Sequence, residues 1–540
     1  MENKIDGSFW WKYGTIYHIY PQSFMDSNGD GWGDLNGIIA KFDYLVSLGI
    51  DAIWLSPIYP SPMYDSGYDI TDYKDINPIF GSMSDFKTLL DLAHSRGIKI
   101  IMDLVLNHTS SQHPWFLESR QAKDNPKRDW YIWESPKSGK KPNNWMTNFG
   151  QSAWTYDSLT GEYYYHSFFK EQPDLNWRNM DLRAAMYDII RFWLGMGVDG
   201  FRLDVINLIF KDKHLRKNPI NFLFNKSKVY NRNRPSVCEV LTEFRKILDE
   251  YPDKTSVGEI YSPPPGDPDL TAKFQGNGSD MLHMAFDFST FFARWDALKY
   301  TEIISNYYRA LPKDGWPCFV FSNHDLGRST NRWMFSIYKQ ERAKIRAMLL
   351  LTLKGTPFIY YGDEIGMENV NISRSQIHDM YGKLFYPFYK GRDAYRTPMQ
   401  WNRNANAGFS EGCTWLPVHK NYKEVNVERE DADERSILTL YKRLIQIRKE
   451  YGVLQSGEFE FLDSGNPQVM TYIRYSKSER MIVLLNFSSK RQKVVVEDLI
   501  EYTPLFSILD VNTKSDGLIT RDSVILKAFD GCILYRKEHN

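Results

Sequence analysis

The chain has 540 residues, 42% of them hydrophobic and 25% charged, and its 67 basic and 67 acidic side chains give a formal net charge of zero. This length and apolar content exclude a wholly disordered chain and exceed one ordinary core, with room for a barrel of about 250 residues plus further domains. The charge balance disfavours nucleic acid or an anionic membrane surface as a partner. No stretch reaches the roughly 18 apolar residues of a membrane span, since the best run, Ala347 to Leu353, is closed by Lys354.

From the N-terminus, residues 1–7 lack the apolar region of a signal peptide, so a cytoplasmic protein is expected. The four cysteines, Cys238, Cys318, Cys413 and Cys532, form no C-x-x-C pair and read as reduced thiols. The first strand falls at 15–20. Next comes a grammar that repeats: a helical stripe, a Gly that ends it, and at once an apolar strand. Leu45-Val46, Gly49 and the strand at 52–57 show it. So do Phe86, Leu89, Leu90 and Ala93, on one helix face, with Gly97 and the strand at 99–104. Residues 105–175 lose the helical period, are rich in Trp, Asn, Ser, Pro and Lys, and read as an inserted subdomain. The grammar returns at Phe192-Trp193, Gly197 and the strand at 200–205. Further strands are predicted at 255–260, 282–287, 318–323 and 357–361, followed by an irregular, aromatic excursion over 365–433.

Eight βα units over this span predict an α/β fold, a (β/α)₈ TIM barrel. The barrel is assigned to 1–104 and 176–454, with the insertion after its third strand. A helix over Ile437–Tyr451 ends it. Beyond, Glu458–Phe461, Val469–Tyr475, Met481–Phe487, Val494–Val496 and Ser523–Tyr535 are strand-like with no helices between them. A C-terminal antiparallel β-sandwich domain is therefore expected over 455–540.

Barrel chemistry sits at the C-terminal ends of the strands. Those ends read Asp103-Leu104-Val105-Leu106-Asn107-His108, Arg202-Leu203-Asp204, Val257-Gly258-Glu259 and Asn323-His324-Asp325. A lone Asp at such a place is usually a helix cap. Convergence of Asp204, Glu259 and Asp325 is different, because burying like charges together is costly without a task. Two carboxyls with different pKa values suit glycoside hydrolysis. A metal site is the rival reading, but His108 and His324 lack ligand-type spacing. The 16 Trp, 34 Tyr and 32 Phe supply a large core and could also face a sugar ring.

These segments resemble the signature regions of the α-amylase family of retaining glycosidases, family 13, over essentially the whole chain from Tyr17. Gln172-Pro173-Asp174-Leu175-Asn176-Trp177 and Arg396-Thr397-Pro398-Met399-Gln400-Trp401 are similar to segments of its oligo-1,6-glucosidase and α-glucosidase branch. The resemblance implies Asp204 as nucleophile, Glu259 as general acid/base and Asp325 as the third carboxylate, gripping sugar hydroxyls. It implies Arg202 as the cation that keeps Asp204 ionised, and His108 and His324 as donors to hydroxyls. It implies Asp65, Tyr68 and Arg392 as the closed non-reducing-end pocket, with Arg396 the alternative partner of Asp65. Phe149 and Phe168 are implied as aromatic walls.

The expected activity is that of an exo-acting retaining α-glucosidase on small oligosaccharides or disaccharides. The protein would be a monomer or a homodimer. In related enzymes Val after the nucleophile accompanies α-1,6 substrates and Thr accompanies α-1,4, and here it is Val205. Leu326-Gly327-Arg328 departs from the oligo-1,6-glucosidase pattern, which keeps an α-1,4 preference open. Transglucosylation stays open too. A sucrose isomerase fits less well, because the expected Arg-rich loop after Asp325 is missing. The non-catalytic amino-acid-transporter heavy chains also resemble this family, but they have lost catalytic groups that this chain keeps.

A separate loop, Asp26-Ser27-Asn28-Gly29-Asp30-Gly31-Trp32-Gly33-Asp34, places oxygens at alternate positions, as in the start of a calcium loop. Asp26, Asn28, Asp30, Asp34 and the Trp32 carbonyl are the candidate ligands of one structural Ca²⁺ or Mg²⁺. No cofactor is expected for catalysis.

Overall fold

A computed structural model of the protein describes residues 9–219, 229–262, 266–332, 337–496, 499–509, 520 and 522–538. The first three strands are β1 (Ile16–Ile19), β2 (Ala52–Leu55) and β3 (Lys99–Val105). After β3 the chain builds a small antiparallel sheet from β4 (Trp133–Glu134), β5 (Trp154–Asp157) and β6 (Glu162–Tyr165), in the order β4-β6-β5. The barrel resumes with β7 (Gly200–Asp204), β8 (Thr255–Glu259), β9 (Met284–Phe286), β10 (Cys318–Val320) and β11 (Thr356–Tyr360). All eight barrel strands pair in parallel, in the order β10-β11-β1-β2-β3-β7-β8-β9, and β9 lies beside β10 to bring the ring almost to closure.

Local sequence explains the repeating unit. Ser82 and Asp85 form a reciprocal capping box on the helix Met83–Ser95, which buries Phe86, Leu89, Leu90 and Ala93. The helix Met180–Met196 is capped by Asn179 and ends at Gly197, whose φ of 113° only glycine holds without strain. Three residues later β7 begins.

Alternation within the strands sorts their side chains. Ile16, Ala52, Trp54, Ile101, Val257, Met284, Phe286, Cys318, Val320 and Phe358 form one apolar cluster, the filled barrel interior. Two positions on from Ile101 and Val257, on the same strand face, come Asp103 and Glu259. Arg202 pairs in register with Asp103. The site is thus the top layer of the barrel filling.

The C-terminal strands are β12 (Glu458–Phe461), β13 (Val469–Tyr475), β14 (Glu479–Asn486), β15 (Gln492–Val495), β16 (Thr503–Ser507), β17 (Ser523–Leu526) and β18 (Gly531–Lys537). They form an antiparallel sheet β12-β13-β14-β18-β16 and a ribbon β15-β17, with Val469, Leu484, Val494, Leu526 and Leu534 in a common core. Two expectations are corrected. Ser523–Tyr535 is not one strand: Phe529 adopts a left-handed φ of 50°, and the chain passes from the ribbon to the larger sheet. Strand β16 was hidden by Pro504, which is tolerated because β16 is an edge strand with an irregular register there. No helix among the described residues is long and apolar enough to cross a membrane.

Candidate active site

One guanidinium organises the carboxylates. Arg202 is 1% exposed, and its Nη1 donates to Asp103 Oδ1 at 2.8 Å and to Asp204 Oδ1 at 2.8 Å, while its Nη2 donates to Glu259. The Val205 N–H also points to Glu259 Oε2, at 3.5 Å. Asp204 and Glu259 therefore face each other across a shared cation. Val205 has a left-handed φ of 36°, a strained conformation for a β-branched residue, directly after Asp204 at the strand end.

The second group surrounds Asp325. His324 Nε2 lies 3.0 Å from its Oδ2 and 2.6 Å from the Tyr68 hydroxyl. Arg396 Nη2 and Arg392 Nη1 donate to its Oδ1 at 2.9 and 3.1 Å. The Tyr68 hydroxyl continues to Asp103 Oδ2 at 3.1 Å, which links the two groups into one network.

The third group centres on Arg392. Arg392 Nη2 donates to Asp65 Oδ1 at 2.6 Å, and the same side chain grips Asp379 through Nε and Nη2 at 3.0 and 2.9 Å. Gln172 Nε2 donates to Asp65 Oδ2 at 3.0 Å and lies 3.1 Å from His108 Nε2. Arg392, not Arg396, is the partner of Asp65.

Burial pushes the carboxyls of Asp204 and Glu259 above their usual range, and Arg202 only partly opposes it. Asp103 is raised by the same cause. Burial acts on Asp325 too, but His324, Arg392 and Arg396 outweigh it and hold this carboxyl well below the usual range. Asp379 is likewise buried, yet Arg392 and Arg396 bring it down to about 2. Burial lowers His108, so its ring is neutral. The result is an ionised Asp325 beside an Asp204–Glu259 pair for which losing both protons is unfavourable.

These groups surround a cavity of about 250 Å³ lined by Asp65, Tyr68, His108, Phe149, Phe168, Asp204, Glu259, Asp325 and Arg392. Arg202 and His324 do not line it; they lie behind it and orient the groups that do. Sequence reasoning missed Asp103 as a site residue, although its period with Ile101 marks it as inward-facing. It also missed Asp379, Tyr381 and Tyr389, which belong to the irregular excursion and carry no periodic signal. Tyr381 packs at a tilt on Phe149, with ring centroids 4.4 Å apart and an interplanar angle of 30°.

The 26–34 loop lies apart from this cavity. Its donors are hard oxygens, as Ca²⁺ or Mg²⁺ requires. Asp26 accepts from the backbone N–H groups of Asn28, Gly29 and Gly31 and from Ser410 Oγ. Asp34 accepts from Ser27 and caps the next helix through the Gly37 N–H. Asn28 and Asp30 are exposed at the open edge. The loop fits a hard cation in the kind of its donors, while Asp26 and Asp34 are already engaged by the loop itself. Among the described residues no group of three or more His, Cys, Asp or Glu side chains is arranged to hold a metal.

Comparison with known proteins adds the following. Residues 18–457 match the family model of the alpha amylase catalytic domain. An oligo-1,6-glucosidase of Parageobacillus thermoglucosidasius is 43% identical, over 91% of this chain and 93% of that protein. Among solved structures, the α-glucosyl transfer enzyme XgtA superposes with a TM-score of 0.90 at 37% identity, covering 98% of this chain and 99% of the other. The trehalulose synthase MutB from Pseudomonas mesoacidophila gives a TM-score of 0.90 at 34% identity, covering 98% and 100%.

Proposed function

Because the chain belongs to the α-amylase family, we propose that it is an exo-acting retaining α-glucosidase that releases α-glucose from short α-glucosides, with a preference for α-1,6 linkages. The observation that carries this reading is one cavity lined by Asp204, Glu259, Asp325 and the hydrogen-bonded pair Asp65 and Arg392. A chain of sugars cannot pass that ion pair, so only a terminal glucose fits.

Asp204 attacks the anomeric carbon while Glu259 protonates the glycosidic oxygen; water, deprotonated by Glu259, then releases glucose. Sharing one guanidinium suits the close carboxyl pair of a retaining enzyme, about 5–5.5 Å apart, better than the wider inverting pair. Asp325 and His108 receive hydroxyls, and Phe149 and Phe168 meet the C–H faces of the ring. A cytoplasmic setting belongs to the same proposal and is supported by the four free cysteines.

The linkage preference rests on Val205, which lines the cavity beside Asp204. Isomaltose is expected to be cleaved faster than maltose, and Val205→Thr should move the ratio of kcat/KM toward maltose by about tenfold. Parallel glucose-release assays on both sugars decide it. A wild-type preference for maltose would leave an α-glucosidase but remove the linkage role of Val205.

The 26–34 loop is proposed to bind one structural divalent cation through Asp26, Asn28, Asp30, the Trp32 carbonyl and Asp34. A chelator should then lower Tm by about 5 °C or more, and Ca²⁺ or Mg²⁺ should restore it. Asp30→Ala should lose this response. Melting curves that ignore both chelator and added cation would remove the proposal.

A further inference from the structure

Two of the acids that grip Arg392, Asp65 and Asp379, are each held from behind by another carboxylate. The Asp65 N–H donates to Asp69 Oδ1 at 2.9 Å. The Asp379 N–H donates to Asp393 Oδ2 at 2.9 Å. Asp69 and Asp393 are fully buried, and neither lines the cavity. Asp69 gathers its own loop: the Tyr64 N–H donates to its Oδ2 and Ser61 Oγ to its Oδ1, both at 3.0 Å. That loop is strained, since Met63 and Ser66 hold left-handed φ values of 61° and 54°. Such a backbone persists only where its surroundings over-determine it. The loop carries two residues that line the cavity, Asp65 and Tyr68. Asp393 also receives the His378 N–H, at 2.6 Å and on the same oxygen. Burial pushes both carboxyls up, Asp69 to about 7, and the donated hydrogen bonds oppose it.

We propose that Asp69 and Asp393 are positioning residues for the glucose pocket: each fixes, through a backbone N–H, an acid that aims Arg392, and together they set the place of the Asp65–Arg392 pair against the substrate. The proposal rests on the α-glucosidase reading above and adds to it two residues that touch no substrate. The link is short. With its N–H held, the Asp65 carboxylate moves only by turning its own side chain, and misplacing a binding group by about 1 Å costs on the order of 10²-fold in rate. The two acids differ in how many oxygens they use. Asp69 uses both, so an amide there sets its NH₂ against at least one donor of the loop. Asp393 takes both N–H groups on Oδ2, so an amide can keep its oxygen at that place and hold them.

Double-mutant cycles on the intact enzyme test this, with α-glucosyl fluoride as donor and a melting curve for each variant. Asp69→Asn should lower kcat/KM at least about tenfold in the otherwise wild-type enzyme, and less than about threefold in the Asp65→Asn background. Asp393→Ala should behave likewise against Asp379→Asn, while Asp393→Asn stays within about threefold of wild type. A group that acts on stability alone would lower Tm and give the same fold-loss in either background, and that result overturns the proposal. So does an Asp69→Asn enzyme within about threefold of wild type, or an Asp393→Asn enzyme as impaired as Asp393→Ala. If Asp69→Asn does not fold, the Asp393 cycle decides by itself. Absence of glucose release by wild type from every α-glucoside is a different failure: it removes the glucosidase reading and this proposal with it.

Discussion

Replacing Asp204 by Asn is expected to lower glucose release by on the order of 10⁴-fold or more, because the amide cannot form the covalent intermediate. Glu259→Gln should fail differently. It removes the proton needed by a poor leaving group, so disaccharides are spared cleavage. A donor with an acidic phenol as leaving group should still glucosylate the enzyme and accumulate the intermediate.

The pH dependence separates the roles further. Asp204 and Glu259 share Arg202 and are both raised by burial, so they titrate as a unit that is active with one proton. For wild type, kcat/KM should fall at low pH as the pair gains a second proton, and at high pH as it loses its last one. With Glu259→Gln there is no last proton to lose. On the activated donor, the profile should then rise with pH and stay flat. A bell surviving in Glu259→Gln, or an Asp204→Asn enzyme within tenfold of wild type, would falsify the assignment of these two roles.

Arg392 carries the second large effect. Its guanidinium serves Asp65, Asp379 and Asp325 at once, at distances of 2.6 to 3.1 Å. Arg392→Leu leaves these carboxylates facing one another without it. Breaking a buried ion pair from one side costs about 3–5 kcal/mol; expressed in the transition state on a short α-glucoside, that is roughly 10²–10⁴-fold in kcat/KM. Arg392→Lys should recover little of this, because an ammonium cannot reproduce a planar fork that reaches three carboxylates. Melting curves recorded with the kinetics tell a misfolded variant from a folded one with an open pocket. A folded Arg392→Lys enzyme within threefold of wild type would mean that charge alone, not the fork, closes the site.

Much of this molecule is legible without coordinates. Helix stripes ending at Gly49, Gly97 and Gly197, each followed at once by an apolar strand, determine the βα repeat. The reason is that capping and periodicity depend on residues within a turn or two of each other. Asp204 and Glu259, the last residues of β7 and β8, are legible too, since a period of two fixes which face each occupies. What the tertiary structure alone decided concerns groups far apart in the chain. Arg392 or Arg396 as partner of Asp65, and the presence of Asp379 beside them, depend on how an irregular segment without periodicity folds over the barrel mouth. The left-handed backbone at Val205 is likewise invisible in sequence, because nothing local favours it. It persists because the packed strand end around Asp204 over-determines it. Local physics therefore determined the scaffold and the placing of Asp204 and Glu259 at its strand ends. Long-range packing of aperiodic segments decided which groups pair with Asp65 beside the cavity.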